Sequence, residues 1–152
     1  MFIHKVCEAL QKEKIPYAIV GGYAVAFHGV IRGTVDVDFV IAWSLKNLIK
    51  VERALNGMGL VSMHPINAES VFHFRDEYIQ NRNMIAWNFY DPANPLNQVD
   101  IVISYNLEDG HTKIIRTSGG NVNILAKEDL IKMKKASGRI QDLEDVKSLE
   151  AL

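Results

Sequence analysis

Asp36 and Asp38 stand two residues apart inside the run Thr34 to Ile41, where every other position is apolar. Alternation predicts a strand, and a strand with this pattern places Arg32, Thr34, Asp36 and Asp38 on one face and Val35, Val37, Phe39 and Ile41 on the other. One face is then core and the other a polar cleft. Two carboxylates on one strand face repel each other, and holding them together is favourable when a cation sits between them or one is protonated. Mg²⁺ or Mn²⁺ suits that place, because a hard ion takes one or two carboxylates and completes its shell with water and substrate phosphates. The plain alternative is an exposed strand edge whose acids do no chemistry.

A second feature lies upstream. Tyr17 to Val20 reads as a short buried strand, Gly21-Gly22 interrupts it, and Tyr23 to His28 reads as a short helix ended by Gly29. A strand that ends in Gly-Gly and turns at once into a helix presents free N–H groups at the positive end of the helix dipole, with no Cβ to keep a phosphate away. A third feature is Asp100, an acid inside the apolar "NQVDIVIS"; alone, it reads as a strand-end carboxylate paired with a lysine.

Other residue types in the chain carry simpler readings. Arg32 either pairs with one of the aspartates or contacts phosphate. His28 caps or packs against the helix it ends, and His64, His73 and His111 lack the spacing of zinc ligands. Lys127, Lys132, Lys134 and Lys135 read as a solvated helix face, and Asp142 and Asp145 as caps or partners of Arg139. Trp43, Trp87, Phe89 and Tyr90 read as core or rim aromatics, one of which could stack on a base from the cleft edge.

The elements that must position these residues are partly legible. Phe2, Ile3, Val6, Cys7 and Leu10 recur at helical spacing up to Pro16. Ser44 is a candidate N-cap for a helix through Leu45, Leu48, Leu55 and Met58, ended by Gly57 and Gly59. The span 60–81 has no clear period, and Glu69 to Gln80 is open between helix and ragged strand. Met84 to Tyr90 and Gln98 to Ser104 read as antiparallel neighbours around a turn at Asp91 to Pro95. Thr112 to Thr117 and Asn121 to Leu125 flank a hairpin turn. Helices follow from Lys127 to about Ala136 and from Gln141 to Leu152, with Ser137-Gly138 between them. This order predicts an α/β (α+β) domain: a mixed, partly antiparallel sheet, helices chiefly on one face and the cleft on the other.

At 152 residues the chain suits one domain. Its 48% hydrophobic and 23% charged residues are ordinary for a globular protein, which excludes extensive disorder and collagen-like repeats. A net charge of -1 selects no anionic partner, although lysines gather toward the end of the chain. The single cysteine, Cys7, excludes an internal disulfide and a thiolate metal cluster. Nothing resembles a secretion signal and no eighteen apolar residues run unbroken, so the expected location is cytoplasmic, with no membrane contact.

Taken together, the Gly21-Gly22 turn, Asp36-Val37-Asp38 and Asp100 resemble the nucleotidyltransferase superfamily with a DNA polymerase β-like palm. "GGYAVAFHGVIRGTVDVDFVI", "YDPANPLNQVDIVIS" and "ILAKEDLIKMKKASGRIQDLEDVKSL" are similar to small bacterial nucleotidyltransferase-like proteins of the abortive-infection and toxin–antitoxin kind, over about Tyr17 to Leu149. That resemblance implies one minimal domain over 1–152, without the additional helical domain of longer members. It implies two Mg²⁺ (or Mn²⁺) ions held by Asp36, Asp38 and Asp100, with Asp100 helping to deprotonate an acceptor hydroxyl. Gly21, Gly22 and the amide of Tyr23 would hold NTP phosphates, Arg32 and Thr34 would line the nucleotide site, and Lys134 and Arg139 would neutralise further charge. The acceptor implied is an RNA end or a protein side chain. The rival is a non-catalytic module that binds nucleotide or a cognate toxin or antitoxin.

Overall fold

The computed structural model describes residues 1–152. Its centre is a seven-stranded mixed sheet of order β3-β4-β5-β2-β1-β7-β6. The strands are β1 (Tyr17–Val20), β2 (Val37–Ile41), β3 (Val61–Ser62), β4 (Ala86–Asp91), β5 (Asn94–Val102), β6 (Thr112–Thr117) and β7 (Gly120–Leu125). The helices are α1 (Phe2–Lys12), α2 (Gly21–Phe27), α3 (Leu45–Gly57), α4 (Ala68–His73), α5 (Arg75–Arg82), α6 (Lys127–Ser137) and α7 (Ile140–Glu150).

Strands β2 and β5 run parallel, as do β1 and β7, and the remaining pairs are antiparallel. The β4–β5 and β6–β7 hairpins fall where the alternating residues and turn chemistry predict them. In β4 and β5, Trp87, Phe89, Val99 and Ile101 are fully buried while Asn88 and Asp100 on the other face are half-exposed, so one face there is core. All four residues of β1 are buried. At that strand the sheet is covered on both sides, not chiefly on one. The core is completed by Ile3, Val6 and Leu10 of α1 and Leu48, Val51 and Leu55 of α3. Ser44 caps α3 as expected, its Oγ accepting a hydrogen bond from the Asn47 N–H at 3.0 Å.

Two expectations are corrected. The strand expected over Thr34–Ile41 begins only at Val37, and Val35, assigned to the core face, is 62% exposed. The reason is the partner strand: Asp38 pairs with Val20, the last residue of β1, and the chain then turns into α2, so nothing remains for residues 34–36 to pair with on that side. The span 60–81 resolves into β3, α4 and most of α5. Helix α4 opens with a capping box in which Asn67 and Ser70 satisfy each other's N–H groups. Helix α5 buries no residue at all. Only Tyr78 and Ile79 touch the core, too few to leave a period to read.

Candidate active site

Parallel pairing of β2 and β5 sets Asp38 directly beside Asp100, with Val37 opposite Val99 and Phe39 opposite Ile101 to lock the register. Facing pairs share one side of the sheet, and neighbouring strands lie about 4.8 Å apart. The two carboxylates stand close enough for the charge of Asp100 to act on Asp38. Residues 62 positions apart in sequence thus form one acidic pair.

The glycine turn sits over that pair. Gly21 is the first residue of α2 and has φ +67, a left-handed conformation that side chains resist. A Cβ there would collide with the carboxylate of Asp38. A Cβ on Gly22 would lie 2.7 Å from Thr34 Oγ1 and 3.3 Å from an Arg32 nitrogen. Both glycines are therefore required by the close approach of site side chains, apart from any phosphate. Tyr23 is half-buried and stacks on Phe27 with ring centroids 6.5 Å apart. Asp36 lies in the exposed segment before β2, near enough for the charge of Asp100 to act on it.

The electrostatics follow from this crowding. Burial, then the charge of Asp100, then the charge of Asp36, push the Asp38 carboxyl up to about 7, against a smaller opposing pull from Lys134. Burial and the Asp100 charge also raise Asp36.

The three cations assigned to phosphates are all engaged elsewhere. Arg32 donates to Asp145 from Nε at 3.0 Å and Nη2 at 3.4 Å, so its partner is an aspartate of α7, not of β2. Lys134 is not on a solvated face. It is buried, with Nζ 2.8 Å from Asp145 and 3.5 Å from Asp142. Arg139 donates to Asp142 from Nε at 2.8 Å and keeps 72% of its side chain exposed. Burial alone would raise Asp142 and Asp145, but hydrogen bonds from Arg139 to the first and from Arg32 and Lys134 to the second outweigh it and hold both below the usual carboxylate range. Asp142 pairs with Arg139 as expected, whereas Asp145 is bonded by Arg32, Lys134 and Gln141 and not by Arg139.

The oxygen-only donor set of Asp38 and Asp100, with the Asp36 carboxylate beside it, fits a hard divalent cation. No three His, Cys, Asp or Glu side chains stand close enough to enclose an ion by themselves. The geometry is a two-carboxylate seat, which is what Mg²⁺ ordinarily uses when substrate phosphates complete its shell. His28 donates from Nε2 to the Leu125 carbonyl at 2.8 Å and is packed as expected. The sequence reading passed over Asn88. It lies opposite Asp100 on β4, donates to Asp100 Oδ1 from Nδ2 at 2.9 Å, and leaves its own Oδ1 buried and without a partner. The signal for it was the single amide between Trp87 and Phe89 in a strand already paired with Gln98–Ser104.

No protein-family model matches the sequence, and no curated protein matches it. Solved structures do. An antigenic nucleotidyltransferase-like protein from Paracoccidioides brasiliensis superposes with a TM-score of 0.61 at 18% identity, over 97% of this chain and 72% of its own. ANT(2'')-Ia in complex with adenylyl-2''-tobramycin gives 0.62 at 14% identity, over 97% and 84%. The lincomycin-bound lincosamide antibiotic adenylyltransferase LnuA gives 0.59 at 15% identity, over 94% and 90%. At such identities the likeness is one of fold. The seven-stranded mixed sheet and its flanking helices are those of nucleotidyltransferase structures.

Proposed function

We propose that the chain transfers a nucleoside monophosphate from an NTP to an acceptor hydroxyl. The observation that carries this reading is the in-register Asp38–Asp100 pair beneath the Gly21-Gly22 turn at the start of α2. In the reaction the acceptor oxygen forms a bond to the α-phosphorus, the bond from that phosphorus to the bridging α–β oxygen breaks, and pyrophosphate leaves. Asp38 and Asp100, with Asp36 at their edge, would hold Mg²⁺ or Mn²⁺, which supplies charge stabilisation for the attacking and leaving oxygens. The amides at the N-terminus of α2 would bind phosphate oxygens, with Thr34 and Arg32 bounding that corner of the site. Asp100 is assigned the acceptor proton, with Asp38 beside it in register on β2. Lys134 acts on the nucleotide only at a distance, through the field it places on Asp38.

The acceptor is the finer part of the proposal. An RNA end or a protein side chain follows from the resemblance read in the sequence, while the fold neighbours named for adenylylated tobramycin and for lincosamides point to a small-molecule hydroxyl. The test is transfer of label from each α-³²P NTP, with Mg²⁺, to cellular RNA, cellular protein and a panel of hydroxylated small molecules. Label that disappears with Asp38→Ala supports the reading and names the acceptor class. One observation favours the rival non-catalytic module of a toxin–antitoxin pair: Arg32, Lys134 and Arg139 are all committed to α7 carboxylates and not free for phosphates. Metal-dependent NTP binding without transfer to any acceptor would select it.

A further inference from the structure

We propose that Asn88 is a positioning residue for Asp100, held in place for metal binding and not for folding. This inference rests on the nucleotidyl-transfer reading of the Asp38–Asp100 pair. Three facing residues, Asp38 of β2, Asp100 of β5 and Asn88 of β4, form one row across three adjacent strands. Trp87 and Phe89 on either side of Asn88 are fully buried on the opposite face, so the strand cannot turn its amide away without exposing both rings. The Nδ2 group donates to Asp100 Oδ1 at 2.9 Å and approaches Gln98 Oε1 at 3.3 Å, so both of its hydrogens have acceptors. An ionised carboxylate offers only acceptors, which fixes the NH₂ end of the amide toward Asp100.

The consequence for Asp100 is directional. With Oδ1 held by Asn88, the Asp100 carboxylate loses rotational freedom while its Oδ2 takes no hydrogen bond from any protein donor, in a residue facing Asp38, where a cation would sit. Partners of metal-binding carboxylates act in this way, orienting the ligand and raising affinity by about 10- to 100-fold. The consequence for Asn88 is that its Oδ1 is buried with no hydrogen-bond donor, the only such side-chain atom in the structure. A buried polar atom left unsatisfied is destabilising. A residue serving the fold alone would be better replaced by a hydrocarbon of the same shape, and leucine is nearly isosteric with asparagine.

Asn88→Leu separates the two roles. It removes the grip on Asp100 and the unsatisfied oxygen together, so the losses and gains in stability oppose each other while metal binding only loses. Mn²⁺ binding to the NTP-free chain is measured by electron paramagnetic resonance for wild type, Asp38→Ala and Asn88→Leu, alongside thermal unfolding without metal. The expected result is Mn²⁺ binding by wild type that Asp38→Ala abolishes, about tenfold weaker binding by Asn88→Leu, and a melting temperature for Asn88→Leu within about 3 °C of wild type or above it. Mn²⁺ affinity of Asn88→Leu within twofold of wild type would overturn the role of Asn88 and leave the acidic pair standing. Absence of Mn²⁺ binding by wild type would overturn the reading of the pair, and the role of Asn88 with it. A large fall in the melting temperature of Asn88→Leu would make Asn88 a folding residue, again overturning the proposal.

Discussion

Lys134 is the most informative residue to remove, because the sequence assigns it to solvent and the structure buries it. Its Nζ lies 2.8 Å from Asp145 and 3.5 Å from Asp142, and the three side chains are 8%, 3% and 4% exposed. Removing one partner from a buried ion pair costs about 3–5 kcal/mol, because the other charge is left in a poorly solvated place. Here the loss falls at the low end. Asp145 keeps Arg32 at 3.0 Å and Gln141 at 3.1 Å, and Asp142 keeps Arg139. Lys134→Met therefore destabilises by about 3 kcal/mol, and for a chain of this size that is a fall of roughly 6–12 °C in melting temperature. Calorimetry or circular dichroism at pH 7 reads it, with Lys132→Met on the exposed face of the same helix as the control, expected to stay within about 0.5 kcal/mol. Lys134→Met with Asp145→Asn should be less damaging than the sum of the singles by about 1.5 kcal/mol, since the second change removes the charge the first one strands. Melting temperatures of Lys134→Met and Lys132→Met that agree within about 2 °C would refute this account of how α6 and α7 are held.

Gly21→Ala should lower stability by about 2 kcal/mol or more, from the left-handed φ of +67 and the displaced Asp38 together, and abolish the rise in melting temperature that NTP with Mg²⁺ gives the wild type. The pH dependence has a worked sign: Asp38 in the folded chain is raised to about 7 from an ordinary value of 3.8, so the folded state binds more protons than the unfolded state between those values. Stability of the metal-free chain should therefore decline as pH rises from about 4 to 7, and millimolar Mg²⁺ at pH 8 should restore it; melting that is flat across this window would remove the raised carboxyl from the account. Asp142 and Asp145, held low, add the opposite slope only where pH falls below about 4. Val35→Ser should change the melting temperature by less than about 2 °C, because Val35 is exposed ahead of β2, whereas a core valine would lose far more.

The legible parts of this fold are those whose signal is local. β1, the Gly21-Gly22 turn, the Ser44 cap and the two hairpins each announce themselves within a few residues. Thr34 to Asp36 misled because alternation describes a strand only if a partner lies alongside, and the partner ends at Val20. Helix α5 was hidden for the converse reason, since a helix with no fully buried residue, which touches the core only through Tyr78 and Ile79, has too narrow an apolar stripe to show a period. At the site, Asp38 and Asp100 were recognised as a set through a resemblance, not by spacing, because adjacency across parallel strands leaves no trace in the interval between them. Lys134 was misread for a similar reason. "KMKK" is a solvated run until two acids one helical turn apart, Asp142 and Asp145, are folded against it.

The contrast between the two acidic groups bears on what the site is for. Asp142 and Asp145 are buried and receive Lys134, Arg32, Arg139 and a Gln141 amide, so their charge is well compensated. Asp38 and Asp100 face each other with the charge of Asp36 acting on Asp38, yet the only side-chain donor to the three is the amide of Asn88. The difference is not a shortage of cations nearby. Lys134 is close enough to lower Asp38, and Arg139 close enough to be raised by it, but both are turned toward α7. Turning either one to Asp38 would relieve the repulsion and also fill the space where a phosphate-bound metal would have to enter. Under the proposed nucleotidyl transfer, the acidic pair left without cations of its own is the one that would take a cation from solution.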